Sequence, residues 1–225
     1  MSILENRPNS PLPFLEGEGE DTRSVSLKIQ NAFSTKLVLF TISLLLVVLS
    51  FQTQAANTFE VDPVHSSAVF RIKHMGVSYI HGRFNHISGT FNLDEADPSK
   101  SSVDLEIKAE SVYTANQKRD QHLKSPDFLN VKQFPVITFK SKTVKKVDDM
   151  TYEITGDFTL LGKTKSLTVK AIHTGSGKNR SGAALIGFET TFTIKRSDFG
   201  MNYGIDMGMA GDDVRFTVSV EASSQ

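Results

Sequence analysis

The sequence predicts an all-β domain of about eight antiparallel strands, closed as a barrel in preference to a sandwich, with one short helical insert. Three observations carry this. From Phe59 to the C-terminus apolar and polar residues alternate with period two, the signature of strands with one buried face. The links between these runs are short, which joins neighbours antiparallel because parallel pairs need long crossovers. A single segment breaks the alternation and carries helix-forming residues instead.

The strands follow in order. Ala68, Phe70 and Ile72 alternate with Val69, Arg71 and Lys73, and the stretch Gly82–Leu93 follows. Val103, Leu105, Ile107 and Ala109 oppose Asp104, Glu106 and Lys108. Ile137 and Phe139, then Ile154, Gly156, Phe158 and Leu160, then Leu167, Val169 and Ala171 continue the series. Ile186, Phe188, Thr190, Phe192 and Ile194 form one face, and Val214, Phe216, Val218 and Val220 the last. Turns are expected at Asp94–Pro98, Asp148–Asp149, Leu161–Lys163 and Gly175–Gly177. So many strands leave edges that must be protected, and closure removes them.

The insert begins at Thr114-Ala-Asn-Gln117, which has capping-box spacing, and continues with helix-compatible residues to Lys124. Ser125-Pro126 ends it and is placed to start a second turn through Asn130. Leu123, Phe128 and Leu129 are its only large apolar side chains, so it can only lie across something already formed, as a lid over one barrel mouth.

The first 56 residues differ from the rest. Residues 1–36 are a polar leader with a basic end, and 37–56 hold an uncharged run of thirteen from Leu37 to Leu49, followed by a polar stretch and Ala55-Ala56. A basic flank, a short apolar core and a small-residue exit read as a cleaved secretory signal, which places the remainder, 57–225, in the periplasm. Thirteen residues fall short of the roughly twenty that span a bilayer. The acidic Met1–Thr22 stretch suits no ordinary signal, and a translation start near Val25 or Leu27 would remove it; an uncleaved anchor is the rival.

Composition narrows the function. From Asn57 onward 21 Lys and Arg face 20 Asp and Glu, so no polyanion partner is indicated and nucleic acid is excluded. The absence of cysteine removes thiol chemistry and disulfides. Sixteen Phe against four Tyr and no Trp make a purely apolar interior. His65, His74, His81 and His86 match no known metal-ligand spacing. His65-Ser66 and Asp120 with His122 suggest a hydrolase, but no G-x-S-x-G elbow accompanies them. Neither a metal nor a catalytic residue is expected.

Several stretches together resemble the YceI-like polyisoprenoid-binding proteins. They are His65-Ser66, His74–Ser78, Arg119–Phe128, Phe134-Pro135, Phe139–Ser141, Thr155–Lys165, Arg196–Met201 and Gly211–Glu221. Their order and spacing cover almost the whole of 57–225. The resemblance implies an extended lipocalin-like eight-stranded antiparallel barrel with a helical insert and a deep apolar tunnel. It also implies an isoprenoid lipid as ligand, a polyprenyl phosphate or a ubiquinone-like quinone, with no other cofactor. Leu161 stands where the family often has His, and Lys124 where Arg is common.

On that reading the tunnel wall is Phe70, Ile72, Phe91, Phe139, Phe158, Phe188, Phe192 and Phe216, and Arg119, His122 and Lys124 receive the head group. Ordinary core packing is the competing role for the first set, and a structural network of Arg119, Asp120 and Asp127 for the second. Arg196 and Asp198 read as a charged pair flanking a bend before Gly200. The expected function is carriage, storage or a stress response built on lipid binding. A stress-related interaction protein without a lipid, a homodimer and transient membrane contact stay open.

Overall fold

The computed structural model describes residues 57–225, so the expectations for residues 1–36 and 37–56 lie outside the described residues. Eleven strands make one antiparallel sheet: β1 (Asn57–Val61), β2 (Ser67–His74), β3 (Ser78–Phe84), β4 (Ile87–Leu93), β5 (Ser102–Lys108), β6 (Val112–Tyr113), β7 (Val136–Lys146), β8 (Thr151–Leu160), β9 (Lys163–Lys178), β10 (Ala184–Lys195) and β11 (Ala210–Ser224). The pairing of β1 with β11 closes it into a ring of eight, β1-β4-β5-β7-β8-β9-β10-β11.

Three ring positions are split between two strands. β11 pairs first with β2, from Ala210 to Ser219, and then with β1, from Ala222 to Ser224. β3 and β4 divide the next position, and β5 and β6 the one after. The expected single strand over Gly82–Leu93 is therefore two, broken at Asn85-His86. β1 is a further segment that the alternation did not mark off. At each break a strand changes partner, and at the last of them β6 pairs with β3 alone. At the first break Ser66 Oγ bonds both the amide (3.1 Å) and the carbonyl (3.3 Å) of Glu221, holding the ladder together across the skipped residues.

Two local expectations give way to the structure. The helix α1 (Gln117–Leu123) is capped by Asn116, whose side chain accepts from the Arg119 amide at 3.0 Å, and not by Thr114. Asn is the stronger cap, and the Thr114 hydroxyl is already committed to Asp120. The second turn through Asn130 is as expected, with the Phe128 and Asn130 amides donating to the Ser125 carbonyl at 3.1 and 2.9 Å. Gly175–Gly177 lies inside β9, and the reversal comes at Asn179–Ala183, where the Asn179 carboxamide accepts from the Ser181 and Ala183 amides. Those glycines face a register shift at Gly187/Phe188. The turn at Leu161-Gly162 is as expected, with both residues at positive φ (52° and 68°), the tight form that follows the twist of a hairpin.

Candidate functional site

Inward rows from every ring position converge on a core of phenylalanine and aliphatic side chains. That core is not solid. A cavity of about 120 Å³ occupies the half bounded by β4, β5, β7–β10 and the end of β11. A second, of about 250 Å³, occupies the half beneath α1, walled by β2, β3, the starts of β7 and β11, and the loop that follows β10. Ile137 lines both.

Between them stand three rings: Phe158 and Phe192 on the first cavity and Phe216 on the second. Phe192 stacks on Phe216 at 5.3 Å, and Phe158 meets Phe192 at 6.0 Å and Phe216 at 6.5 Å. The expected apolar interior is thus two chambers in series that meet at an aromatic waist.

Of the expected wall residues, Phe91, Phe139, Phe158, Phe188 and Phe192 line the first chamber, and Phe70, Ile72 and Phe216 the second. Arg119 and His122 reach the second chamber; Lys124 lies in an outer depression with Asp120 and Gln121 instead, because it follows the last turn of α1 on its other side.

The polar groups of the insert are largely engaged with one another. Arg119 donates from Nε to the Thr114 hydroxyl and from a terminal nitrogen to the Thr114 carbonyl, both at 2.7 Å. Buried Asp120 accepts from the Thr114 amide at 2.9 Å and from its hydroxyl. His122 meets Asp127, not Asp120, at 2.8 Å and packs edge-on against Phe128 and Tyr203. These bonds fix the lid and leave the Arg119 guanidinium at the chamber wall.

Arg196 also lines this chamber and is only 1% exposed. Its partner is not Asp198 but three backbone carbonyls, those of Gly211 (2.8 Å), Met201 (2.9 Å) and Ala210 (3.0 Å). Burial pulls its pKa below the ordinary guanidinium value, opposed by nearby Asp212, which itself accepts from Ser197. The bonds tie down both ends of the 201–211 loop that covers the mouth. Sequence reading marked Arg196 as structural but could not see that carbonyls would be its acceptors.

The first chamber carries one polar feature that the sequence did not flag. Thr190 lies on its wall, and its hydroxyl is the one buried side-chain polar atom without a hydrogen-bond partner among the described residues.

His65 and Ser66 sit at the β1–β2 break. His65 Nδ1 meets Asp62 at 2.8 Å, with Glu221 at 3.8 Å. The hydrogen bond with Asp62, with its negative charge and that of Glu221, raises the His65 pKa, and the same bond lowers that of Asp62. This cluster lies at the surface beside buried Ser66, whose Oγ is held by the Glu221 backbone.

The profile of the YceI-like domain matches residues 59–222. The chain belongs to the YceI-like family. A UPF0312 protein of Pseudomonas aeruginosa is 44% identical over 176 residues, covering 77% of this chain and 90% of its own. Protein YceI of Salmonella arizonae is 39% identical over 186 residues, covering 83% and 96%. Among solved structures, a YceI protein of Campylobacter jejuni superposes with a TM-score of 0.59 at 34% identity, over 68% of this chain and 90% of that one. Burkholderia cenocepacia BcnA gives 0.65 at 23% identity, over 72% and 98%. A domain from Saccharophagus degradans described as polyisoprenoid-binding gives 0.59 at 15%, over 76% and 100%. The last two share the YceI-like barrel as a fold.

Proposed function

We propose that this YceI-like protein is an exported binder, not an enzyme, that encloses one long-chain isoprenoid lipid. The observation that carries this reading is the pair of apolar chambers arranged in series within a closed barrel, with cationic side chains at one of them alone. A prenyl tail is long, slender and wholly apolar. Each methylene that leaves water contributes about 0.8 kcal/mol, so several isoprene units in these walls suffice for tight binding. Such walls discriminate poorly between chain lengths, because one methylene is worth only about 1–3 kcal/mol in selectivity. The ligand is therefore a class, prenyl phosphates or quinones. Its head lies near Arg119 and His122 and its tail passes the aromatic waist towards Phe91 and Phe188. The description of the Saccharophagus degradans domain as polyisoprenoid-binding supports this assignment.

The segment 37–56 acts as a cleaved export signal, so the barrel works in the periplasm as a carrier or store. Amino-terminal sequencing of the protein from its host is expected to begin just after Ala55 or Ala56. For the ligand, mass spectrometry of an organic extract of natively purified protein should yield a long-chain prenyl compound. Added prenyl lipid at about a hundred times its Kd should stabilise the barrel by about 2.7 kcal/mol. An empty extract together with no thermal shift on addition would overturn the reading.

A further inference from the structure

The outer wall beside the second chamber holds an arrangement that the barrel itself does not explain. Arg71 on β2 lies in register with Arg215 on one side and His81 on the other, a row of basic groups across three strands. Arg83 is one rung below on β3, opposite Val69. Lys73 is one rung above, opposite Tyr79, and the Arg71 and Lys73 cations both lie 4.6 Å from the centre of the Tyr79 ring. Among the described residues none of Arg71, Lys73, Arg83 and Arg215 forms an ion pair. The nearby acids of β11, Asp212 and Asp213, are taken by Lys195 at 3.9 and 3.3 Å. Like charges directly opposite in a sheet destabilise it, so this row burdens the fold unless an anion meets it.

Directly above the row the mouth carries apolar side chains in water. Met75 and Val77, on the β2–β3 turn, are 64% and 83% exposed, and Met207 and Met209, on the covering loop, are 64% and 42% exposed. The Met75 amide donates to the Met209 carbonyl at 3.1 Å, which joins turn and loop into one rim. Asp206 is the acid on that loop. The opposite end differs: its turns mix Asp94, Glu95, Asp97, Asp148 and Asp149 with Lys145, Lys146 and Arg180, so no field of one sign forms there.

We infer that the Met75/Val77/Met207/Met209 rim and the adjoining Arg71–Arg215 basic face dock the barrel onto an anionic phospholipid bilayer. The rim inserts among acyl chains while the cations meet phosphate head groups. Apolar side chains beside a basic band are the pattern of proteins that lie on a membrane surface, and an anionic leaflet supplies the missing counter-charge. A flat soluble partner would satisfy the cations but gain little from four flexible side chains projecting at a mouth. Docked in this way, the second chamber faces the lipid it would exchange. This surface rests on the lipid-binding reading only for its purpose; its chemistry is separate.

The test is co-sedimentation of the full protein, as its host processes it, with vesicles of phosphatidylcholine alone or of phosphatidylcholine with phosphatidylglycerol. Any unprocessed apolar segment would itself insert, so the readout is the difference between wild type and variant on the same vesicles. Wild type should bind the anionic vesicles and release with salt. Each surface cation contributes about 1 kcal/mol near such a membrane, so Arg71→Gln with Arg215→Gln should weaken binding about thirtyfold. Met75→Ser with Val77→Ser should also weaken it. Met75, Val77 and Arg215 are exposed and Arg71 is half-buried against Tyr79, outside the core, so both double variants should stay folded, which thermal unfolding checks on the same samples.

Equal binding to neutral and anionic vesicles, or no effect of the arginine pair, would overturn the inference. So would self-association of the wild type that the arginine pair abolishes, since that would make a second copy the occupant. Bound prenyl lipid is measured on the same samples. Vesicle binding lost with cargo retained supports the docking surface, whereas vesicle binding intact in a protein that never holds prenyl lipid keeps the surface and removes the cargo reading.

Discussion

The two halves of this barrel are built to different standards, and the difference assigns them different work. Around the first chamber the long strands β7–β10 make most of the wall, with register shifts at Ser141/Thr143 and Gly187/Phe188, and the lining is mostly apolar with no cationic side chain. Around the second, three ring positions are split, α1 replaces a strand partner for β6, and the wall includes Arg119, His122 and Arg196. An uninterrupted ladder satisfies its own backbone and needs no polar side chains inside. A broken one needs side chains to finish the job, as Arg196 does for three carbonyls and Asp120 for Thr114. The same concession brings charge to the lining. The regular half suits a hydrocarbon tail, and the irregular half suits a polar head and the opening through which it enters.

The contrast depends on the aromatic waist, so removing a ring should have the largest effect. Phe158 packs against Phe192, Phe199 and Phe216 and is 5% exposed. Phe158→Ala should destabilise the lipid-free barrel by about 3–5 kcal/mol in denaturant unfolding, because the surrounding rings cannot close the void. It should also merge the chambers, so that a long-chain prenyl lipid restores more of the loss than a short one. A loss below about 1 kcal/mol would mean that the rings are loosely placed and the two halves are already one space.

A smaller and opposite effect is expected in the regular half. The Thr190 hydroxyl has no partner in a mostly apolar wall, a state that costs about 1–3 kcal/mol. Thr190→Val keeps the shape and should raise the stability of lipid-free protein by about 1 kcal/mol. Destabilisation instead would show that the hydroxyl is satisfied, for example by a buried water, and that the wall is less dry than the contrast requires.

Much of this architecture was legible in the residues. Period-two alternation located most of the ring positions and the inward phenylalanines, because a pleated strand with one buried face imposes that period on its sequence. The breaks were not legible. Asn85-His86 and Asp62–Ser66 interrupt pairing by a shift between partners distant in the chain, and a strand's own residues do not encode where its neighbour changes. Gly175–Gly177 misled for a related reason: glycine marks turns, but here it accommodates a register shift set by β10. The waist was hidden because alternation says which side chains point inward, not which of them meet. The helical segment and the family resemblance pointed to Arg119 and His122, which line the second chamber, whereas Lys124, which follows the last residue of α1, lies in the outer depression.

The junction between the two halves gives the smallest expected effect and the most specific one. Asp62 and His65 join at the break where β11 passes from β2 to β1, beside the Ser66 stitch. The His65 pKa is raised above its ordinary 6.5 by its bond to Asp62 and the charges of Asp62 and Glu221. A raised value means that the folded state holds the proton more tightly, so this contribution is complete below pH 6.5 and is lost as pH rises through the folded value. The Asp62 pKa is lowered from 3.8, chiefly by the same bond, so its contribution is complete above pH 3.8 and is lost as pH falls through the lowered value. The pair therefore supports the junction fully between those two ordinary values. His65→Gln should lower the melting temperature slightly at mildly acidic pH, and its gap from wild type should shrink as the medium turns alkaline. A gap that stays constant with pH would show that the junction is held by Ser66 and the strand pairing alone, with the imidazole a bystander.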